Sequence, residues 1–390
     1  MRDLISNRSR HVDASGIRKV FDLAAKLKNP LNLSIGLPDF DVPDPVKAAA
    51  IQAIQNGQNR YTPTQGIEPL RQRLRKDLSR EWGRDCGEVL ITSGVSGGLL
   101  LAILAVVDPG DEVVFLDPYY VMYRHLLTIA GGNAAIVDSY PDFRFRAEQV
   151  EKAITPRTKM LILNSPSNPT GIVMTRDEVK AAVELARKHD LLILSDEIYE
   201  PFLYDVDRIP PSQSSARQGS PQAVLSPQHL LPSPAPLYAN TLVLRGFSKS
   251  HAMTGWRVGY AAGPAQVVAE MTKLQQYTFV CAPSPFQQAA LAALDVPMEK
   301  AVADYRRKRD LACSLLGRKF EIAMPQGAFY IFPKAPAGMT ATQFVSKAIE
   351  HNVLIIPGGV FSGRDTHFRV SYAATDEILR QGCEVLCSLA

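Results

Sequence analysis

The sequence is poor in the residues that build metal centres and disulfide frameworks. Its five cysteines (Cys86, Cys281, Cys313, Cys383 and Cys387) are odd in number, scattered, and include no CxxC pair. They read as reduced thiols of a cytoplasmic protein, not as bridges or zinc ligands. The seven histidines are equally dispersed, so no metal is expected. No apolar run approaches the roughly eighteen residues that a membrane helix needs. The charged start, MRDLISNRSR, has no apolar core after it and does not read as a signal peptide. Excess charge is also small: the net +4 comes from interspersed signs without a basic block, which argues against a nucleic-acid partner.

What is present is a globular composition. At 390 residues and 46% apolar, the chain can bury a sizeable core and has length for two domains. Short apolar runs at Val89–Thr92, Val113–Leu116, Ala135–Val137, Met160–Leu163, Leu191–Leu194, Leu242–Leu244 and Val258–Ala262 predict strands. Helical spacing separates most of them, at Gly97–Val107, Val121–Ala130 and Asp177–His189. Apolar runs without alternation, divided by helices, predict an α/β fold whose mainly parallel seven-stranded sheet is covered on both faces. Before them, helices are expected at Ser15–Leu27, Val46–Gln55 and Ile67–Trp82, with a strand at Leu31–Gly36. After Pro264 helices dominate (Ala265–Phe279, Pro285–Leu294, Met298–Phe320), followed by an α+β lobe. That lobe has strands at Ala328–Phe332, Val353–Ile356 and Phe368–Tyr372, and helices at Ala341–His351 and Asp376–Leu389. The division expected is a large domain over 45–290 and a small one from 1–44 with 291–390. Residues 206–236, dense in Pro, Ser and Gln, predict an extended surface insertion.

In an open parallel sheet, ligands sit beyond the carboxyl ends of the strands, so the residues that follow each run carry the functional reading. After the first run, Thr92-Ser93-Gly94-Val95-Ser96-Gly97-Gly98 leads into a helix, whose free N–H groups and dipole suit a phosphate. Asp117-Pro118-Tyr119-Tyr120 puts aromatics where a planar ring could stack. Asn164-Ser165-Pro166-Ser167-Asn168-Pro169 is a stiff loop that can hold an amide in one place. Ser195-Asp196-Glu197-Ile198-Tyr199 ends an apolar strand on a carboxylate, which either caps a helix or needs a cationic partner. Finally Leu242–Leu244 gives way to Gly246-Phe247-Ser248-Lys249, with Arg257 downstream. A loop lysine is ordinarily a solvated charge. Lys249 is followed by small and apolar residues (Ala252, Met253, Gly255, Trp256), which predict enclosure, a lowered pKa and a usable amine nucleophile. Phosphate cradle, aromatic, amide, carboxylate, hydroxyl, lysine and arginine together match the needs of pyridoxal 5'-phosphate (PLP).

The segments SPSNPTG, SDEIY, GFSKSHAMTGWRVGY and FRVSY, in this order, resemble the class I/II aminotransferases of the aspartate aminotransferase superfamily, fold type I. The resemblance spans nearly the whole chain apart from the Pro-rich insertion. It implies that Lys249 carries the cofactor and then shuttles a proton at the substrate α-carbon. Asp196 would pair with the ring nitrogen, Asn168 and Tyr199 would hydrogen-bond the ring hydroxyl oxygen, and Tyr120 would stack on the ring. Val95, Ser96 and Gly97 through their backbone, with Ser248 and Arg257, would hold the phosphate; Gly246 stands where the family often has a further small polar residue. Tyr61 matches a tyrosine that reaches the neighbouring subunit's phosphate, which implies a homodimer with shared sites. Arg369 and the backbone of Gly36 match the groups that grip the substrate α-carboxylate, and Asn168 borders the same place.

Ala14–Arg18 and Ile35–Phe40 are similar to the prokaryotic aspartate and aromatic subgroup. Some aspartate-specific members place a lysine where this chain has Ser96, which leaves aspartate, aromatic and alanine-type donors open, with a 2-oxo acid such as 2-oxoglutarate as acceptor in a ping-pong exchange. Two other readings share the scaffold: a β-C–S lyase or related elimination enzyme, and a PLP-binding sensor domain without turnover. The second would carry a DNA-binding module, for which the residues before Leu31 leave little room.

Overall fold

The computed structural model describes residues 4–13, 16, 27–204 and 231–390. Most of the helix expected from Ser15 to Leu27, most of the Ala14–Arg18 segment, and residues 206–230 of the Pro-rich stretch lie outside the described residues. The strands are β1 (Leu31–Asn32), β2 (Glu88–Thr92), β3 (Glu112–Asp117), β4 (Asn133–Asp138), β5 (Thr158–Asn164), β6 (Leu192–Asp196), β7 (Thr241–Gly246) and β8 (Gly259–Gly263). Strands β2 to β8 form a seven-stranded sheet in the order β2-β8-β7-β6-β5-β3-β4. Within it β4, β3, β5, β6 and β7 run parallel, whereas β8 is antiparallel to both β7 and β2. β6 and β8 are buried along their whole length, as runs without polar alternation require.

The covering helices are α1 (Asp44–Gln55), α2 (Glu68–Trp82), α3 (Gly94–Val106), α4 (Met122–Ala130), α5 (Ala147–Lys152), α6 (Arg176–Lys188), α7 (Ala265–Gln276) and α8 (Ser284–Ala293). α6 shows how local sequence fixes an element. Thr175 and Glu178 form a reciprocal capping box, and Val179, Ala182, Val183 and Ala186 form its buried face. Removing such a cap costs about 1 kcal/mol. α3, by contrast, is apolar nearly all round and packs between the sheet, α4 and α7. It begins at Gly94, not at the expected Gly97: Gly94 has φ +66°, so the chain turns out of β2 directly into the helix. Val95 and Ser96 therefore lie in the first helical turn.

The remaining strands are β9 (Tyr330–Ile331), β10 (Val353–Leu354), β11 (Ile356–Pro357) and β12 (Phe368–Ser371), and the helices α9 (Glu299–Leu316), α10 (Ala341–Glu350) and α11 (Asp376–Leu389). β11, β12 and β9 make an antiparallel sheet, and β1 pairs in parallel with β10. The strand expected at Ala328–Phe332 shrinks to two residues, in part because Ala328 has φ +56°, outside the extended region. The run Val353–Ile356 divides at Ile355, with β10 serving β1 and β11 serving β12.

The expected surface insertion also needs correction at its end. Residues 231–235 are buried. Leu231 packs with Val173 and Leu203, the Ser233 hydroxyl donates to Glu197 Oε1 at 2.6 Å, and Arg84 Nε donates to the Ala235 carbonyl at 2.8 Å. Among the described residues no helix is long and apolar enough to cross a membrane, no cluster of metal-ligating side chains occurs, and all five cysteines are free.

Candidate active site

Parallel register brings the strand ends together. Asn164 at the end of β5 stands opposite Asp196 at the end of β6, and Asp196 opposite Leu244 in β7. Just beyond β7 a single helical turn, Phe247–Ser250, presents Ser248 and Lys249. A cavity of about 310 Å³ opens at this edge. Of the residues expected at the site, Gly36, Val95, Ser96, Tyr120, Asn168, Asp196, Tyr199, Ser248, Lys249, Arg257 and Arg369 line it. Two do not. Gly97 lies in the first turn of α3 but faces the ring of Phe279. Tyr61 is 83% exposed on the surface of this chain.

Lys249 is enclosed. Its Nζ donates to the Gly36 carbonyl at 2.6 Å and lies 6.0 Å from the centre of the Tyr199 ring. Burial, followed by the nearby guanidiniums of Arg369 and Arg257, pulls the amine down to about 8, against a smaller opposing pull from Asp196. Asp196 is more deeply buried than the part-buried Lys249, and burial lifts its carboxyl to about 6. Its Oδ2 accepts from the Tyr123 phenol at 2.6 Å and its Oδ1 from the Ile198 amide at 3.4 Å, both neutral donors. A buried carboxylate held only by neutral groups is favourable when a cation is brought against it.

Arg369 presents the opposite case. It is 1% exposed, yet its Nη1 donates to Asn168 Oδ1 at 2.9 Å and its Nη2 to the Ser34 carbonyl at 2.7 Å, both neutral acceptors. Its Nε is buried with no hydrogen-bond partner among the described residues. The guanidinium rests over Tyr330 and Phe361, 4.4 and 4.8 Å from their ring centres. Burial lowers its pKa, against the opposing influence of the Tyr330, Tyr199 and Tyr120 phenols. A fully buried cation with a vacant donor is built for an incoming anion.

At the third corner, Arg257 donates to the Thr254 carbonyl at 2.9 Å and reaches the Ser93 carbonyl at 3.5 Å. Its guanidinium lies so close to Gly94 that a Cβ there would stand 2.5 Å from Nη2. α3 starts with no side-chain cap, so its first amides remain free to meet an anion beside Arg257. The phenols complete the wall. Tyr199 and Tyr330 share a hydrogen bond of 2.8 Å, and Tyr120 meets Tyr123 edge to face. Burial pushes Tyr120 up to about 12 and Tyr199 well above its ordinary range, which keeps both phenols protonated.

Sequence reasoning missed Tyr330, Thr254 and Leu37, which also line the cavity, and Tyr123, which holds Asp196. Asn164 was visible as part of the rigid loop. It lines the cavity, accepts from the Asn168 amide at 2.9 Å and donates to the Asp196 carbonyl at 3.0 Å, locking the loop to β6.

The sequence profile of aminotransferase class I and II matches residues 28–386. The chain belongs to the class I and II aminotransferases. It is 34% identical to a probable aspartate aminotransferase of Methanocaldococcus jannaschii, over 98% of this chain and 99% of the relative. It is 33% identical to aromatic-amino-acid aminotransferase 2 of Thermococcus litoralis, over 97% and 96%. A single mutant of Thermus thermophilus aspartate aminotransferase superposes with a TM-score of 0.89 at 34% identity, covering both chains completely.

As an aminotransferase of this family the protein is a PLP-dependent transferase of fold type I. The cavity fits that cofactor on its own terms. It has a nucleophilic amine, a buried carboxylate whose hydrogen bonds among the described residues come from neutral donors, and an uncapped helix start backed by a guanidinium. These suit the aldehyde, ring nitrogen and phosphate of one molecule.

Proposed function

We propose that Lys249 carries the cofactor and moves the proton at the substrate α-carbon, and that Asp196, positioned by Tyr123, faces the ring nitrogen. Bound there, the cofactor supplies an electron sink for charge that develops at that carbon. Asn168 and Tyr199 hold the ring oxygen, and Tyr120 covers the ring. Arg257, Ser248 and the α3 amides of Val95 and Ser96 hold the phosphate, whereas the Gly97 amide expected with them donates to the Ser93 carbonyl at 3.3 Å. Arg369, with Asn168 and Gly36 beside it, grips the substrate carboxylate. The observation that supports this reading best is that part-buried Lys249 and buried Asp196 and Arg369, three charge-bearing groups bonded only to neutral partners among the described residues, line one cavity.

The same wall bears on the donor. Its cations among the described residues are Lys249, Arg257 and Arg369, each with a role already assigned. The rest includes Leu37, Val95, Leu99, Ile198, Tyr120, Thr254 and Tyr330, and Ser96 brings no charge. We therefore read the preferred donor as an aromatic or alanine-type L-amino acid over aspartate, exchanging with a 2-oxo acid such as 2-oxoglutarate in ping-pong fashion. Burying a side-chain carboxylate without a cation costs several kcal/mol, and each 1.4 kcal/mol is tenfold in rate or affinity. Single-turnover conversion of the PLP enzyme to its pyridoxamine form should be at least about tenfold more efficient with L-phenylalanine or L-alanine than with L-aspartate. Preference for aspartate would mean that a cation outside this wall meets the side chain.

The working unit in this reading is a cytoplasmic homodimer, built from a large domain at 45–290 and a small one at 1–44 with 291–390. Tyr61 supports it. The ring is exposed although its loop is tied down: Gln287 Nε2 donates to the Thr62 hydroxyl at 3.0 Å and Gln275 Nε2 to the Thr64 carbonyl at 2.7 Å. Tyr277, at the end of α7, is 84% exposed. Ordered, exposed aromatics suit a covered face. Tyr61→Phe should weaken PLP binding about tenfold, the worth of a hydrogen bond to a charged group, while sedimentation still reports a dimer. Unchanged PLP affinity would remove Tyr61 from the site.

A further inference from the structure

The segment that carries Gly36 crosses the cavity between two anchorages. On one side β1 pairs with β10, the Leu33 amide donates to the Leu354 carbonyl at 2.9 Å, and the Ser371 amide to the Leu33 carbonyl at 2.8 Å. On the other side Asp39 is held from α9. Lys308 Nζ forms an ion pair with Asp39, and the Asp39 amide donates to the Tyr305 hydroxyl at 3.2 Å. Lys308 also pairs with Asp304 at 2.9 Å, one helical turn away, and lies over the Tyr305 ring.

Between these anchorages the strap offers the site its backbone. The Ser34 carbonyl accepts from Arg369 and the Gly36 carbonyl from Lys249, so two of the cations that serve the reaction are bonded to it. Gly36 presses so closely on Tyr330 that a Cβ would stand 2.5 Å from the phenol oxygen. Leu37 lines the cavity while remaining 40% exposed at its mouth. A displacement of the strap by a fraction of an ångström therefore changes the contacts of Lys249, Arg369 and Tyr330 together.

The Lys308 side chain is only 6% exposed. An exposed intrahelical pair with Asp304 would stabilise α9 by a few tenths of a kcal/mol and would require no burial. A lysine buried against a carboxylate from a distant segment has a different consequence, since removing one partner leaves the other charge stranded. We propose that Lys308 is a positioning residue for substrate: with Asp39 and Tyr305 it sets the height of the Ile35–Pro38 strap over the cavity. It touches neither reacting atoms nor the phosphate corner. This rests on the aminotransferase reading of the cavity given above.

Two substitutions test it in the PLP-loaded enzyme. Lys308→Met should raise KM for the amino donor about tenfold and lower kcat by a clearly smaller factor, and Lys308→Arg should restore both. PLP affinity should stay at the wild-type value, and amide hydrogen exchange over residues 34–39 should quicken in Lys308→Met alone. A variant of lower Tm with unchanged KM and unchanged exchange in 34–39 would make the pair merely structural and overturn the proposal; so would loss of PLP affinity in parallel with KM. If Lys308→Met does not fold, Asp39→Asn, which leaves the Lys308–Asp304 pair intact, is judged by the same readouts. Should the wild type fail to turn over any donor, the functional reading fails by itself. Exchange over 34–39 then still decides whether Lys308 holds the strap.

Discussion

Replacing Lys249 with alanine is expected to reduce transamination by at least about 10⁴-fold, the upper end of what a positioned general base contributes. The visible absorbance of lysine-bound PLP should vanish with it, and added alkylamines should recover only a small part of the rate. Substantial turnover by the variant would refute the assignment. A finer test uses the pH dependence of the apoenzyme. Lys249 sits at about 8, lowered mainly by burial and then by Arg369 and Arg257. Only the unprotonated amine bonds to an aldehyde, so uptake of PLP by the apoenzyme should speed up about tenfold per pH unit below 8 and level off above it. A solvated lysine would keep rising to about pH 10.4. The sign for stability follows from the same shift. The unfolded chain binds this proton more tightly than the folded one, so the apoenzyme carries the full cost below pH 8 and sheds it as the pH rises from 8 to the unfolded value of 10.5. At pH 7 apo Lys249→Met should therefore be about 2–3 kcal/mol more stable than the wild type, with the gap closing through that window. A gap independent of pH would mean that Lys249 is not desolvated.

The site was legible in the sequence wherever a residue follows its own strand directly. Asp196 and Lys249 could be placed because an apolar run ends abruptly on a charge, and the parallel register then carries both to one edge. Tyr123 and Tyr330 could not, because each reaches the cavity from another element across the fold. Tyr123 meets Asp196 from α4, and Tyr330 meets Tyr199 and Arg369 from β9. Nothing in their local pattern separates them from core aromatics. The fold itself was readable from periodicity, and the errors fell where backbone conformation overrides it. Gly94 at φ +66° starts α3 early, and Ala328 at φ +56° shortens β9. The stretch ending at Pro236 misled through composition, because its last residues are held by Arg84, Glu197 and a small apolar cluster that lie far away in the sequence.

That last anchorage belongs to a larger arrangement behind the site. Arg245 in β7 is 5% exposed and forms a two-pronged pair with Glu81 at 2.7 and 2.8 Å, while its Nε donates to Glu197 at 2.8 Å. Glu197 follows Asp196 in the chain, and Ser195 and Ser233 also donate to it. Successive residues at a strand end point to opposite faces, so Asp196 looks into the cavity while Glu197 is tied down on the other side. The strand end is thereby clamped from below. Arg245 pairs with Glu197 on that side, and the negative charge of Glu197 adds a contribution, smaller than that of burial, to the raised pKa of Asp196.

Arg369→Leu should separate substrate binding from cofactor binding. The guanidinium is buried, bonded to neutral acceptors on two sides, and its Nε has no partner among the described residues. A bidentate bond to a carboxylate in such surroundings is worth about 3–5 kcal/mol when one partner is removed, much of it the penalty for stranding the other charge. The expected loss in kcat/KM is therefore on the order of 10²–10³-fold for every amino donor alike. Arg369→Lys should recover little of it, because an ammonium cannot reproduce the fork. PLP should remain bound in both variants, since the phosphate corner at Arg257 and the start of α3 is untouched. Loss of PLP with unchanged donor KM would move Arg369 to the cofactor. A loss confined to acidic donors would move it to the substrate side chain, and the uncharged-pocket reading would fall with it.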